Sequence, residues 1–278
     1  MSGVAGRSIR WRPQAQWLAS PTRRPQGHDC TAMDAGARSP PMRSDHRIAV
    51  AIPALDEAEA IGSVVGDVPE WVDLVVVADN GSRDGTPERA SAAGAVVVHE
   101  PERGYGAACL AALARIAADA GGPADIVVFV DGDYSDHPED MADLVDPIIA
   151  GKADLVLGSR VLGERERGSL TPQQVFGNRL ATTLIAWIWR TRYTDLGPYR
   201  AIRRSALDRL AMADRNYGWT VEMQIKAAEQ GLQILEVPAR YRVRIGRSKV
   251  SGTLKGTVLA GYKILAIIAR HALAVRRT

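Results

Sequence analysis

A short apolar run, Val127-Val128-Phe129-Val130, ends in Asp131-Gly132-Asp133, two carboxylates one residue apart. Bounded by Gly121-Gly122-Pro123 before and Asp-Gly-Asp after, it reads as a buried strand whose C-terminal end opens into a crevice. In open α/β sheets that edge is where ligands bind. Two Asp side chains at i and i+2 can turn toward one point once the chain leaves the pleat. Their oxygens suit Mg²⁺ or Mn²⁺ held together with substrate phosphates. Asp-Gly is also ordinary turn chemistry, so the pair gains meaning only from its surroundings.

Those surroundings are regular. Strand patterns at 48–52, 74–78, 95–98, 126–130 and 153–157 alternate with helical patterns at 58–65, 87–93, 106–118 and 138–149. This alternation predicts a mostly parallel sheet covered by helices on both faces. After Gly158 the rhythm changes to a long helix over 172–189, a short strand at 201–202 and a helix over 220–230. A strand pair over 232–238 and 240–245, broken by Pro238, and a helix from 252 to about 274 complete the chain. Residues 1–45 are rich in Arg, Pro, Ser and Gly with no hydrophobic period, the composition of a disordered tail. The organisation expected is a tail over 1–45, one domain over 46–251 and an amphipathic helix over 252–278.

The 278 residues are 46% hydrophobic and 24% charged, enough to bury the core of one large α/β domain. Net charge is +3, but it is unevenly spread: +4 over residues 1–46, −11 over 47–237 and +10 over 238–278. An acidic body with a basic end fits a domain that handles a cation and an anionic ligand, or docks on an anionic surface. Aromatics are sparse, so a nucleic-acid partner is not expected. Cys30 and Cys109 are the only cysteines, which excludes a disulfide framework or zinc cluster and is compatible with a reducing cytoplasm. No run approaches 18 apolar residues, and the N-terminal stretch lacks an apolar core of signal-peptide length. The location expected is the cytoplasm, including the cytoplasmic face of the membrane.

Three predicted strands end in acidic, glycine-containing loops on one edge of a parallel sheet: Pro53-Ala54-Leu55-Asp56-Glu57, Asp79-Asn80-Gly81-Ser82-Arg83-Asp84-Gly85-Thr86, and Asp131/Asp133. Asp56 as N-cap with Glu57 in the first turn would also serve a helix start. Three such loops together suggest a nucleotide and metal site. Arg103-Gly104-Tyr105-Gly106 reads as a glycine turn into a helix, with Arg103 in reach of a nucleotide. His137 belongs either near the metal or to a surface turn.

These motifs, in this order and spacing, resemble those of family 2 glycosyltransferases of the GT-A fold, over about residues 47–251. Asp195-Leu196-Gly197-Pro198-Tyr199-Arg200 and Arg244-Ile245-Gly246-Arg247-Ser248-Lys249 resemble blocks of the dolichyl-phosphate mannose synthase-like branch. There are two departures: Asn80 stands where the family carries Asp, and the transmembrane helices of some relatives are missing. The resemblance implies an α/β, Rossmann-like GT-A domain with a C-terminal helix. It also implies metal-dependent, inverting transfer of a hexose from a nucleotide-diphosphate-sugar. Asp56 and Asp79 would contact base and ribose, with Pro53, Glu57, Asn80, Gly81 and Arg103 beside them. Asp131 and Asp133, flanking Gly132, would hold Mg²⁺ or Mn²⁺ against the diphosphate. Arg242, Arg244, Arg247 and Lys249 would add positive charge on a flexible lid, or form the solvated face of a strand.

Inverting transfer ordinarily needs a base for the acceptor proton, and Glu222 and Asp195 are the candidates. A lipid phosphate is already an anion and needs none. Polyprenyl phosphate is the leading acceptor. A soluble sugar or phosphorylated metabolite is the alternative, and a non-catalytic nucleotide-sugar or lipid-binding scaffold is the alternative of another class. The C-terminal helix, with Lys255, Lys263, Arg270, Arg276 and Arg277 near an apolar face, fits peripheral membrane contact, a cover for the sheet or a homodimer interface equally well.

Overall fold

The computed structural model describes residue 43, residues 45–246 and residues 254–275. Apart from Arg43 and Asp45, the tail expected over 1–45 lies outside the described residues, as do Arg247 and Lys249 with the roles given to them.

Seven strands form one sheet: β1 (Ile48–Ala54), β2 (Leu74–Asp79), β3 (Val96–His99), β4 (Ile126–Phe129), β5 (Leu155–Ser159), β6 (Arg200–Arg203) and β7 (Ile234–Pro238), in the order β3-β2-β1-β4-β6-β5-β7. Every neighbouring pair is parallel except those of β6, which runs antiparallel to both β4 and β5. The fold is a GT-A-like α/β sheet flanked by helices. All seven residues of β1 and all four of β4 are buried, as expected for strands covered on both faces. Period-two alternation divides them between two cores. Ala49, Ala51, Val127 and Phe129 pack toward α3 (Tyr105–Ala117), α5 (Pro172–Trp189) and α7 (Trp219–Glu229). Ile48, Val50, Ile52 and Val128 pack toward α1 (Ile61–Gly66) and α4 (Ala142–Ile149).

The long helix α5 has the expected bounds because its start is written locally. Thr171 and Gln174 form a reciprocal capping box with Pro172 in the first turn. Two other expectations are corrected. Helix α6 (Arg204–Leu210) follows β6 directly and was not foreseen. Residues 240–245 are not a strand: apart from an isolated bridge between Arg165 and Tyr241, they run as a strap between two loops. Glu166 N–H donates to the Tyr241 carbonyl on one side, while Arg242 and Ile245 N–H groups donate to the Ser135 and Asp133 carbonyls on the other. Helix α2 (Thr86–Ala92) and helix α8 (Leu254–Val275) complete the layers. Among the described residues, no helix is long and apolar enough to cross a membrane.

Candidate active site

The parallel strands β1, β2 and β4 deliver their C-terminal loops to one edge, as the sequence pattern required. The first two loops are stitched to each other. Asp56 N–H donates to Ser82 Oγ and Asp56 Oδ1 accepts from Arg83 N–H, at 2.8 Å each. Glu57 N–H reaches Thr86 Oγ1 at 2.9 Å, and Ala58 N–H reaches Asp84 Oδ2 at 3.1 Å. Asp56 sits at φ 51, so the helix starts late, with Ala60 rather than Asp56 at the N-cap. Asp79 accepts from the Gly81 and Ser82 N–H groups and from His99 Nδ1. Burial raises its pKa, but these hydrogen bonds, led by Ser82, outweigh burial and hold it below its ordinary value. Neither the Asp56 nor the Asp79 side chain lines the cavity described below. Both carboxylates accept hydrogen bonds from the backbone of the second loop.

Asn80 explains its own departure from the family motif. Its amide donates to the carbonyls of Glu100 (3.0 Å) and Glu102 (2.7 Å), and its Oδ1 accepts from Gly104 N–H at 2.7 Å. An aspartate has no protons for the two carbonyls. Asn80 thereby fixes the loop carrying Arg103, whose guanidinium reaches back to the Gly81 carbonyl at 3.1 Å. The glycines around Tyr105 have a steric origin: a Cβ at Gly104 or Gly106 would collide with the carbonyls of Arg215 and Asp214. That close approach seats α3 so that Tyr105 Oη donates to Asp131 Oδ1 at 3.0 Å.

Asp131 and Asp133 come together beneath this edge. Gly132 between them lies where a Cβ would be 3.3 Å from the Pro53 carbonyl, tighter than ordinary packing. The next residue, Tyr134, is held at φ 62, its hydroxyl bonded to Asp67 at 2.6 Å and its ring covered by Arg242 at 3.5 Å. Burial, and then repulsion from Asp133, push the Asp131 carboxyl up to about 7. Asp136, almost fully buried behind the pair and not foreseen, is pushed up by burial and by both neighbours. Crowded buried carboxylates are a donor set that a divalent ion would neutralise. Among the described residues no cluster of three or more His, Cys, Asp or Glu forms a ready-made cage. Mg²⁺ and Mn²⁺ at a diphosphate need only one or two carboxylates, the phosphates completing the shell, so Asp131 and Asp133 fit such an ion. His137 instead pairs with Glu139 at 2.8 Å.

The strap crosses the same place. Arg244 lies between Glu57 Oε1 (2.7 Å) and Asp133 Oδ2 (2.9 Å), tying the first and third acidic loops through one guanidinium. Arg240 pairs with Asp140 and Glu139, so the alternating arginines, read as one strand face, go to three different partners.

Arg160, not foreseen in the sequence, lines the same cavity as Asp131 and Asp133. It follows β5, and both oxygens of Asp195 grip it, at 2.7 Å to Nε and 2.7 Å to Nη2, with Arg160 N–H adding a third bond at 2.9 Å. Burial opposes charge on Asp195, yet the Arg160 hydrogen bonds keep it below its ordinary pKa. The only hint in the sequence was a Ser-Arg step at the end of an apolar strand. Asp195 is thus placed as the holder of Arg160, with both oxygens occupied, and not as a free base. Glu222 is 1% exposed and lies off the cavity. Its Oε2 accepts from the Ala213 and Asp214 N–H groups at 3.2 and 2.8 Å, and Lys226 Nζ is 2.9 Å from Oε1. That is the setting of a loop anchor. Glu222→Gln is expected to keep kcat within about threefold while lowering stability by about 1–3 kcal/mol, the cost of weakening buried bonds to a charged acceptor. A kcat loss beyond about a hundredfold in a folded variant would return Glu222 to the role of base.

These groups surround a cavity of about 610 Å³. Pro53, Glu57, Asn80, Arg103, Tyr105, Asp131, Asp133, Arg160, Gln173, Asn178, Tyr217, Thr220, Tyr241 and Arg244 are among the residues that line it. Ala260, Gly261 and Ile264 of α8 form part of the rim. A doubly wound sheet with paired carboxylates and facing guanidinium groups at its carboxyl edge belongs to the class of group-transfer enzymes. Comparison with known proteins narrows this. Residues 49–211 match glycosyl transferase family 2. The dolichyl-phosphate hexose transferase of Haloferax volcanii is 33% identical over 76% of this chain and 90% of its own. Polyprenol monophosphomannose synthase of Mycolicibacterium smegmatis is 29% identical over 79% and 86%. Glucosyl-3-phosphoglycerate synthase of Mycobacterium tuberculosis, crystallised with Mn²⁺, UDP and glucosyl-3-phosphoglycerate, superposes with a TM-score of 0.66 at 25% identity, covering 83% and 81%. The chain belongs to glycosyltransferase family 2 and is a glycosyltransferase.

Proposed function

We propose that the chain transfers a hexose, with inversion, from a nucleotide-diphosphate-sugar to a phosphate-bearing acceptor, with polyprenyl phosphate as the acceptor it fits best. What supports this is that no carboxylate of the cavity is left over for an acceptor proton: among the described residues Asp131 and Asp133 suit the metal and Glu57 pairs with Arg244, while Glu222 and Asp195 are held elsewhere, Asp195 by the lining residue Arg160. A hydroxyl acceptor would require a base there. A phosphate oxygen is already nucleophilic, and a guanidinium pre-oriented by a buried carboxylate is suited to hold it.

On the donor side, Asp131 and Asp133 would hold Mg²⁺ or Mn²⁺, which when bound would act as a Lewis acid toward the departing diphosphate. The chain's own contribution is positional. Asn80 fixes the loop that presents Arg103, and Tyr105 orients Asp131. Arg244 would exchange its carboxylate partners for phosphate oxygens as the donor enters. Arg247 and Lys249 continue the same basic run.

A lipid tail is favoured by exposed apolar groups on the two helices, α5 and α8, that also supply lining residues. Phe176, Leu180 and Trp187 share one face of α5 and are 71%, 38% and 77% exposed, and Leu259 and Tyr262 of α8 are 47% and 71% exposed. These are groups for peripheral contact with an interface. Likeness to a phosphoglycerate-handling enzyme supports a soluble phosphorylated acceptor as the second reading. The test is transfer from a panel of nucleotide-sugars with Mn²⁺ to polyprenyl phosphate, to the matching polyprenol and to 3-phosphoglycerate. Product on polyprenyl phosphate alone is expected. Product on 3-phosphoglycerate would favour the second reading, and product on the neutral polyprenol would overturn both.

A further inference from the structure

Arg200 is a guanidinium that is not among the residues lining the cavity. It opens β6, its strand neighbours are Phe129 and Leu157, and it is 1% exposed. Among the described residues no carboxylate pairs with it: Asp195, the acid nearest in sequence, has both oxygens on Arg160. Its partners are neutral. Nη1 donates to the Thr220 carbonyl at 3.1 Å, and Nη2 to the carbonyls of Gly197 and Leu196 and, at 3.5 Å, to Gln224 Oε1. Nε finds no partner. Burial pulls its pKa down to about 10, so it remains a cation at neutral pH. A buried charge without a counter-charge is costly, and most folds neutralise it or do without it.

Its position shows what the charge faces. Leu196 and Thr220, whose carbonyls it binds, both line the cavity, and Gly197, another of its partners, lies against Arg160. Arg200 therefore lies one layer beneath the lining that carries Arg160. Its charge leaves positive potential where an anion would sit. In a low-dielectric setting this acts across a residue layer without contact.

We propose that Arg200 is the buried counter-charge of the acceptor phosphate, a positioning residue whose missing carboxylate partner is the substrate anion. This rests on the phosphate-acceptor reading above. It assigns Arg200 to affinity for the anion and not to the chemical step.

The test compares Arg200→Gln and Arg200→Lys with wild type and with Arg160→Gln, each shown to be folded. Inorganic phosphate is the probe, read as inhibition of transfer to the acceptor, beside nucleoside diphosphate binding with Mn²⁺. Arg200→Gln should weaken phosphate inhibition and raise the acceptor KM on the order of tenfold, with kcat and nucleotide affinity within about threefold of wild type. Arg200→Lys, which keeps the charge, should remain within about threefold. A purely structural arginine would make both variants fail alike, and equal losses in Lys and Gln would overturn the proposal. Should the Gln variant not fold, Lys decides alone: retention supports the proposal and a tenfold loss overturns it. Phosphate inhibition abolished by Arg160→Gln but unchanged in Arg200→Gln would overturn this inference and leave the acceptor reading standing. No phosphate inhibition of the wild type would overturn both.

Discussion

Asp133→Ala is expected to lower transfer on the order of a thousandfold or more while leaving the fold in place. Three features of the site set that size. On the proposed reading Asp133 is one of the two carboxylates that would hold a divalent ion, so its loss would remove half of the protein's ligand set at the diphosphate. Interactions at developing charge in a buried site are each worth about a hundredfold to a thousandfold in rate. Its Oδ2 is also one of the two carboxylate partners of Arg244, which would keep only Glu57. Stability should suffer less. The bonds given up run from Ser135, 2.9 Å from its N–H and 2.5 Å from its Oγ, within one loop. Arg244 keeps Glu57. The check is a metal titration. Wild type with a nucleoside diphosphate should gain thermal stability on adding Mn²⁺, by about 2.7 kcal/mol at a hundred times the dissociation constant, and Asp133→Ala should not. A folded variant with full activity and an unchanged Mn²⁺ response would remove Asp133 from the metal site.

How much of this was legible in the sequence follows from how local each determinant is. The parallel sheet was readable because β1, β2 and β4 are apolar runs that need cover on both faces, and α5 because its cap and first-turn proline are four consecutive residues. Arg240, Arg242 and Arg244 kept the period of a strand face, yet all three reach into the loop after β4, at Asp140, Tyr134 and Asp133, with Arg244 also on Glu57, and no periodicity records that. Helix α6 was hidden because it starts at the end of β6 without a turn. At the site, residue types placed the acidic edge correctly but could not allot the carboxylates. Asp56, Asp79, Asp195 and Glu222 look alike in sequence, and partners brought by the fold from 8 to 35 positions away, Arg83, His99, Arg160 and Asp214, are what set them apart. Arg160 was missed for the converse reason, since what makes it special is Asp195 on another loop.

That pair carries the second large effect. Arg160→Gln is expected to reduce kcat/KM for a phosphate acceptor about a hundredfold to a thousandfold while leaving nucleotide affinity within about threefold, because the lost interaction is a pre-oriented, charge-assisted one facing the acceptor alone. It should also destabilise the protein by about 3–5 kcal/mol, since Asp195, 2% exposed, would be left as a buried charge without its partner. The two losses separate in the double variant Arg160→Gln/Asp195→Asn. Neutralising the abandoned carboxylate should restore most of the stability and none of the acceptor activity. Asp195→Asn alone should lie between, because the guanidinium stays but loses the grip that aims it. If the double variant regained activity together with stability, Arg160 would be a scaffold residue and the anion would be held elsewhere. If Asp195→Asn instead abolished transfer to a hydroxyl acceptor while sparing transfer to a phosphate, Asp195 would be a base after all, and the occupied oxygens seen here would have to open on substrate binding.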